Sequence, residues 1–216
     1  MSLGGRQYKQ DTYMTQNSFT IGEALRVGWE TTKKNLGFLL VVFVIVFTIS
    51  IFVGIIQQQV KDSVELSLAI RILNYVVQLF VGIGLASISL KLIDGKKASF
   101  EDLYSHYNLV LNYAVASILY GLIVLAGYIL LIVPGIVWTI KYQFYSYFVV
   151  DKGMGPLEAI KASGRATQGH KMHLFGFSWV ALGVMILGLI AVFVGLLVAV
   201  PVVMLATAYI YRRLSA

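Results

Sequence analysis

From Leu36 to Ile56 the chain runs 21 residues without a charge, LGFLLVVFVIVFTISIFVGII, between Lys33, Lys34 and Asn35 on one side and Gln57, Gln58 and Gln59 on the other. At about 1.5 Å of rise per residue, a helix of that length covers the ~30 Å hydrocarbon core of a bilayer. The remaining sequence points the same way: 58% of the 216 residues are hydrophobic and 12% charged, against roughly 25% charged in an ordinary soluble domain. A single globular core of this size could not hide so much apolar surface, so the chain reads as an integral membrane protein. A cleavable signal peptide would start earlier and carry a shorter apolar stretch, so Leu36–Ile56 is expected to stay in place.

Three further apolar regions follow. Arg71 and Lys91 bracket the 19 residues Ile72–Leu90, interrupted only by Asn74 and Gln78. Leu109–Val150 is 42 residues long, twice what one span needs, and must fold back. The break is expected at residues 131–135, Leu-Ile-Val-Pro-Gly, because Pro134 lacks a backbone donor and suits the first turn of a new helix. Leu174–Tyr211, 38 residues, needs a second reversal, placed near 193–197, with Pro201 as a kink in the last helix. The expected fold is all-α and polytopic, with six transmembrane helices at about 36–56, 72–90, 109–131, 134–150, 174–193 and 196–212. Residues 1–17, polar and without periodicity, are expected to be a flexible tail ahead of a single membrane domain, 18–216.

The basic residues test this count, because cytoplasmic loops collect Lys and Arg. Strict alternation puts 14 of the 17 on one side: Arg6 to Lys34, then Lys91, Lys96 and Lys97, then Lys152, Lys161, Arg165 and Lys171, and last Arg212 and Arg213. Both termini are therefore expected in the cytoplasm. The net charge of +7 is spread around apolar segments, which favours anionic lipid headgroups as partners over nucleic acid.

A repeat underlies the spans. Thr20-Ile21-Gly22-Glu23 has capping-box spacing, and the helix after it carries Ile21, Leu25, Trp29 and Leu36 on one face and Glu23, Arg26, Glu30 and Lys33 on the other. Ser99-Phe100-Glu101-Asp102 and Gly155-Pro156-Leu157-Glu158 repeat the start signal. Glu23-Ala24-Leu25-Arg26 also matches Glu158-Ala159-Ile160-Lys161 at an offset of 135, with Thr32 falling on Thr167. The chain reads as three hairpins, each preceded by a cytoplasmic amphipathic surface helix.

Four segments carry a family resemblance: EALRVGWETTKKNLGFLL, the loop IDGKKASFEDLY, the run PGIVWTIKYQFYSYFVVDKGMGPLEAIKASGRATQGH and the final PVVMLATAYIYRRL. Together they resemble a bacterial family of uncharacterised six-helix inner-membrane proteins related to the membrane domain fused to some glycerophosphoryl diester phosphodiesterases. The Pro-Gly turn, the basic residue seven positions after Pro134, Asp151 and the Glu-Ala-x-x-x-Ser helix fall in that family's order. The resemblance implies fold and topology in a bacterial inner membrane. Members more often carry Arg where this chain has Lys141. The sequence contains no soluble phosphodiesterase domain, so that activity does not transfer.

Lys141 is the most informative residue. It lies near mid-depth of the expected fourth span, where a lysine costs about 2.5 to 3.5 kcal/mol on an insertion scale. No Asp or Glu lies in any expected span to offset it. Helical spacing puts Trp138, Tyr142 and Tyr145 beside it, making one aromatic and cationic face. One reading is a pocket for an anionic ligand or lipid headgroup; the other is a lysine that snorkels, with the tyrosines as an interfacial belt. Lys161, Arg165 and Lys171, with His170 and His173, form a basic cluster before the fifth span that could hold anionic lipid or serve as topological anchoring.

Several chemistries are excluded or disfavoured. Zero Cys removes disulfides and thiolate chemistry. Two histidines without a carboxylate make a poor metal site, and Gly82-x-Gly84 inside an apolar span is no nucleotide loop, so neither metal nor cofactor is expected. Small residues at Gly82 and Ala86, Ser117 and Gly121, and Ala191, Gly195 and Ala199 suit close helix contact and leave a homodimer or a protein partner open. No acid, base and nucleophile set lies in the spans, so the expected function is non-catalytic, binding lipid or a membrane partner. The alternative is a small transporter or channel subunit for an anionic or amphipathic solute.

Overall fold

Thr20 starts the first helix. Its hydroxyl accepts from the Glu23 N–H at 3.2 Å, and Glu23 sits in the first turn with Lys33 and Lys34 in the last, the arrangement that suits the helix dipole. The computed structural model describes residues 19–60, 62–191 and 195–215, so the expected tail 1–17 and part of the expected reversal at 193–197 lie outside the described residues. The chain forms α1 (Ile21–Lys34), α2 (Leu36–Gln59), α3 (Val64–Ile93), α4 (Val110–Leu130), α5 (Ile132–Tyr142), α6 (Tyr145–Lys152), α7 (Pro156–Ala166), α8 (Lys171–Ile190) and α9 (Leu196–Ser215).

Five stretches are long and apolar enough to cross a bilayer: Leu36–Gln59, Val64–Ile93, Phe100–Leu130, Lys171–Ile190 and Leu196–Ser215. The fold is that of an all-helical, multi-pass membrane protein. Along α2 only Leu39 and Val42 are buried, while Phe47, Phe52 and Ile55 stand exposed, which is how a helix looks when lipid rather than protein is its solvent. The core lies among α3, α6 and α9. There Tyr211 of α9 stacks on Tyr147 with ring centroids 5.1 Å apart and meets the Phe148 ring edge-on at 5.0 Å.

The expected fourth span, 134–150, is not one helix. Two short helices, α5 and α6, take its place, with a break at Gln143 and Phe144. No proline or glycine causes the break. Ser163 of α7 does: its hydroxyl donates to the Lys141 carbonyl and accepts from the Phe144 N–H, both at 3.1 Å. A side chain inserted into the ladder is a recognised cause of helix breaks. Pro134 does sit in the first turn of the helix after the reversal, where its missing donor costs nothing.

The middle surface helix is also shorter than its start signal suggests, a single 3₁₀ turn at Phe100–Leu103 followed by another at Tyr107–Leu109. A 3₁₀ turn brings residues i and i+3 to one side, so Phe100 reaches the Phe38 ring at 5.1 Å while Leu103 enters the space left by Gly84. A Cβ at Gly84 would lie 2.6 Å from the Leu103 Cα. Asp102 is occupied by the Ser99 N–H and the Lys91 ammonium rather than by a longer helix. Small residues serve close packing within the chain as expected: a Cβ on Gly188 of α8 would stand 2.8 Å from Ala199 Cβ of α9.

Candidate anion site and its supporting contacts

α7 is two-faced. Ala159, Ala162, Ser163 and Thr167 are buried on the side where the helix packs on α4, α5 and α6, while Lys161, Gly164, Arg165 and Gln168 repeat at the spacing of the opposite stripe. That stripe, with Lys141 and Tyr142 of α5 and Lys171 at the start of α8, bounds an open cavity of about 430 Å³. Gly164 makes the approach possible, since a Cβ there would meet Tyr142 Cε1 at 3.2 Å and Lys141 Cε at 3.3 Å.

Lys141, Tyr142, Lys161, Arg165 and Lys171 are thus brought together, although the first pair and the last three are separated by a turn and a helix in sequence. The Lys141 ammonium lies 4.9 Å from the Tyr142 ring centroid, a cation–π distance. Trp138 and Tyr145 stay outside the lining. Trp138 packs near Gly127, and Tyr145 stacks on Tyr120 at 4.8 Å. Tyr145 lies beyond the break at 143–144, on a different helix from Lys141, whereas Trp138 shares α5 with it and turns to the α4 side at Gly127.

The electrostatics are one-sided. Four cations line the cavity and no carboxylate does, and among the described residues none of the four forms an ion pair. Nearby His170 adds no fifth charge at neutral pH, because burial, reinforced by His173, holds its imidazole below the ordinary value of 6.5. His173 and His170 instead flank the Phe19 ring, each 6.4 Å away between centroids. No group of three metal-ligating side chains exists among the described residues.

The Lys141 backbone is held as firmly as its side chain is free. Its carbonyl, orphaned by the helix break, receives the Ser163 hydroxyl at 3.1 Å and the Thr167 hydroxyl at 3.0 Å. Ser163 and Thr167 are fully buried. The sequence repeat picked out Thr167, whereas Ser163 entered only as the serine of the Glu-Ala-x-x-x-Ser motif, with no role attached, since a serine on a small-residue helix face carries no periodic signal.

A second cluster escaped sequence reasoning altogether. Arg212 near the end of α9 grips both Asp94 oxygens, at 2.9 and 2.8 Å, and reaches Asp151 at 2.7 Å. Tyr211 donates to the same Asp151 oxygen at 2.8 Å. One residue on, Arg213 pairs with Glu23 of α1 at 3.1 Å, and Tyr209 donates to that carboxylate too. Tyr209 first, then Arg213, hold the Glu23 carboxyl below its ordinary 4.5. These contacts tie the ends of α3, α6 and α9 into one junction and fasten α1 to it. A register accompanies them: Gly84, Lys141 and Val202 each precede by ten residues one member of the junction, Asp94, Asp151 and Arg212 respectively. Each of the three is also the point where a flanking segment touches: Leu103 on Gly84, Ser163 on Lys141, and Gly28 of α1 on Val202.

The chain is similar to uncharacterized proteins of Mycobacterium bovis and of two strains of Mycobacterium tuberculosis, each 25% identical over 234 aligned positions that cover 94% of this chain and 71% of the relative. No family model matches the chain. No solved structure matches it either.

Proposed function

We propose that this protein is a non-catalytic six-span protein of a bacterial inner membrane, with both termini cytoplasmic, that binds an anionic lipid headgroup in the α5–α7–α8 cavity. On this reading α5 and α6 together make the fourth span and the chain comprises three related units. The basic residues before α2, after α3, around α7 and at the end of α9 support that orientation. Membership of the six-helix family belongs to the same proposal.

The observation that carries the reading is the unbalanced lining, four cations without a carboxylate. Lys161, Arg165 and Lys171 are exposed and Lys141 is half-buried, so all four charges are accessible, and a phosphate among them accepts charge-assisted hydrogen bonds from several at once. The ten-residue register supplies an internal comparison. At the two positions equivalent to Lys141 the chain has Gly84 and Val202, so packing a flanking segment at that depth does not require a cation. Lysine at the third position therefore answers a need other than architecture.

The test is lipid retention. Purified wild-type protein is expected to carry anionic phospholipid detectable by native mass spectrometry, and Lys141→Leu to carry several-fold less, with neutral lipid unaffected. Unchanged anionic lipid in the variant refutes the site.

A further inference from the structure

The cavity does not end at Lys171. A groove of about 260 Å³ opens on the other side of that residue, lined by Val133, Ile136, Val137 and Ile140 of α5 with Met172 and Phe175 of α8. The four α5 residues repeat at i, i+3, i+4 and i+7, one continuous helix face, and from Val133 to Ile140 that face rises about 10 Å. Lys171 gives the groove only apolar surface, that of its methylene stem, while it also bounds the cationic cavity. Ile140 of the groove is next in sequence to Lys141 of the cavity. A positively charged cavity and an apolar groove thus meet at one side chain, and lysine suits such a border because its stem is apolar and its tip charged.

We infer that the two form a single bipartite site for a phosphate-bearing lipid, with the phosphate among Lys141, Lys161, Arg165 and Lys171 and one acyl chain along the α5–α8 groove. This rests on the headgroup reading of the cavity and adds to it a place for an acyl chain. A soluble anion would satisfy the cations and leave Val137, Met172 and Phe175 uncovered. A lipid without charge would fill the groove and leave the four cations unpaired. Only an anionic amphiphile matches both halves, and the groove supplies apolar contact area that the cavity lacks.

The experiment titrates the purified full chain in neutral detergent with two probes, dioctanoyl phosphatidic acid and glycerol 3-phosphate, and reads affinity by calorimetry. The lipid is expected to bind at least tenfold more tightly than the headgroup alone, about 1.4 kcal/mol. Val137→Trp, which fills the groove, is expected to weaken lipid binding about tenfold and to leave glycerol 3-phosphate unchanged. Met172→Trp, at a position 78% exposed and so harmless to folding, should do the same if Val137→Trp does not fold. Equal affinity for the two probes, or lipid binding indifferent to both tryptophans, overturns the bipartite site while leaving the anion cavity standing. Failure of the wild-type chain to bind either probe overturns the cavity reading and the bipartite site with it.

Discussion

Replacing Ser163 by alanine removes the hydroxyl that bridges the break between α5 and α6. Two groups depend on it, and they are affected differently. The Phe144 N–H has Ser163 as its partner and is buried, so it is left unsatisfied. The Lys141 carbonyl keeps the Thr167 hydroxyl at 3.0 Å. One orphaned buried donor costs about 1 to 3 kcal/mol, so Ser163→Ala should lose about 2 kcal/mol. Thr167→Val orphans nothing, because Ser163 still serves the carbonyl, and should cost about 1 kcal/mol or less. The double variant strips both groups at once and should cost more than the two singles added, by about 1 kcal/mol, as expected for residues sharing a partner. For a chain of this length each kcal/mol moves the melting temperature by roughly 2 to 4 °C, so thermal melts in one detergent should place Ser163→Ala about 4 to 8 °C below wild type. Ser50→Ala, which removes an exposed hydroxyl bonded to its own helix, is the control and should stay within about 1 °C. A Ser163→Ala melt indistinguishable from that control would refute the assignment of the break to Ser163, as would strict additivity in the double variant.

At Gly28 an added Cβ would stand 2.5 Å from the Val202 carbonyl oxygen and 3.0 Å from the Ala206 nitrogen, both backbone. Gly28→Ala should therefore lift α1 from α9, cost about 1 to 3 kcal/mol or more, and speed tryptic cleavage at Arg26 and Lys33. Gly22→Ala, with nothing within 4 Å, should leave the digestion rate unchanged. Glu23 gives a pH signature: because its folded-state pKa is lowered from 4.5, its contribution is complete above the unfolded value and is lost as pH falls through the folded one. Melts between about pH 5 and pH 3 should fall more steeply for wild type than for Glu23→Gln, and equal slopes would exclude the Glu23 clamp.

Much of the fold was legible because hydrocarbon imposes a length on apolar segments. Leu36–Ile56 and Ile72–Leu90 fall inside α2 and α3, and the Pro134 reversal is where a missing N–H is tolerated. The break at Gln143–Phe144 was not legible, since a hydroxyl from α7 creates it and nothing local to YQFY announces it. The candidate site divides along the same line. Lys161, Arg165 and Lys171 were grouped by proximity in sequence and Lys141 was singled out by the absence of any carboxylate in its span, but their convergence on one cavity required the tertiary fold. Tyr145 was placed on that face by a 3.6-residue period carried across a helix break, and it stacks on Tyr120 instead of lining the cavity. Arg212 counted only as a cytoplasmic charge and Asp151 only as a motif position, and it is the folded contacts that join both to Asp94.

The pairing of α1 with α9 joins the first described helix to the last, across about 160 intervening residues. At a synthesis rate of roughly 5 to 20 residues per second, α1 leaves the ribosome some 8 to 30 seconds before its partner exists. Throughout that interval the side of Gly28 that meets Val202 and Ala206 has no neighbour, and closure must await the synthesis of α9. Assembly of this molecule is accordingly a race between chain elongation and whatever else can occupy that early segment, and slowing translation late in the message would lengthen its vulnerability.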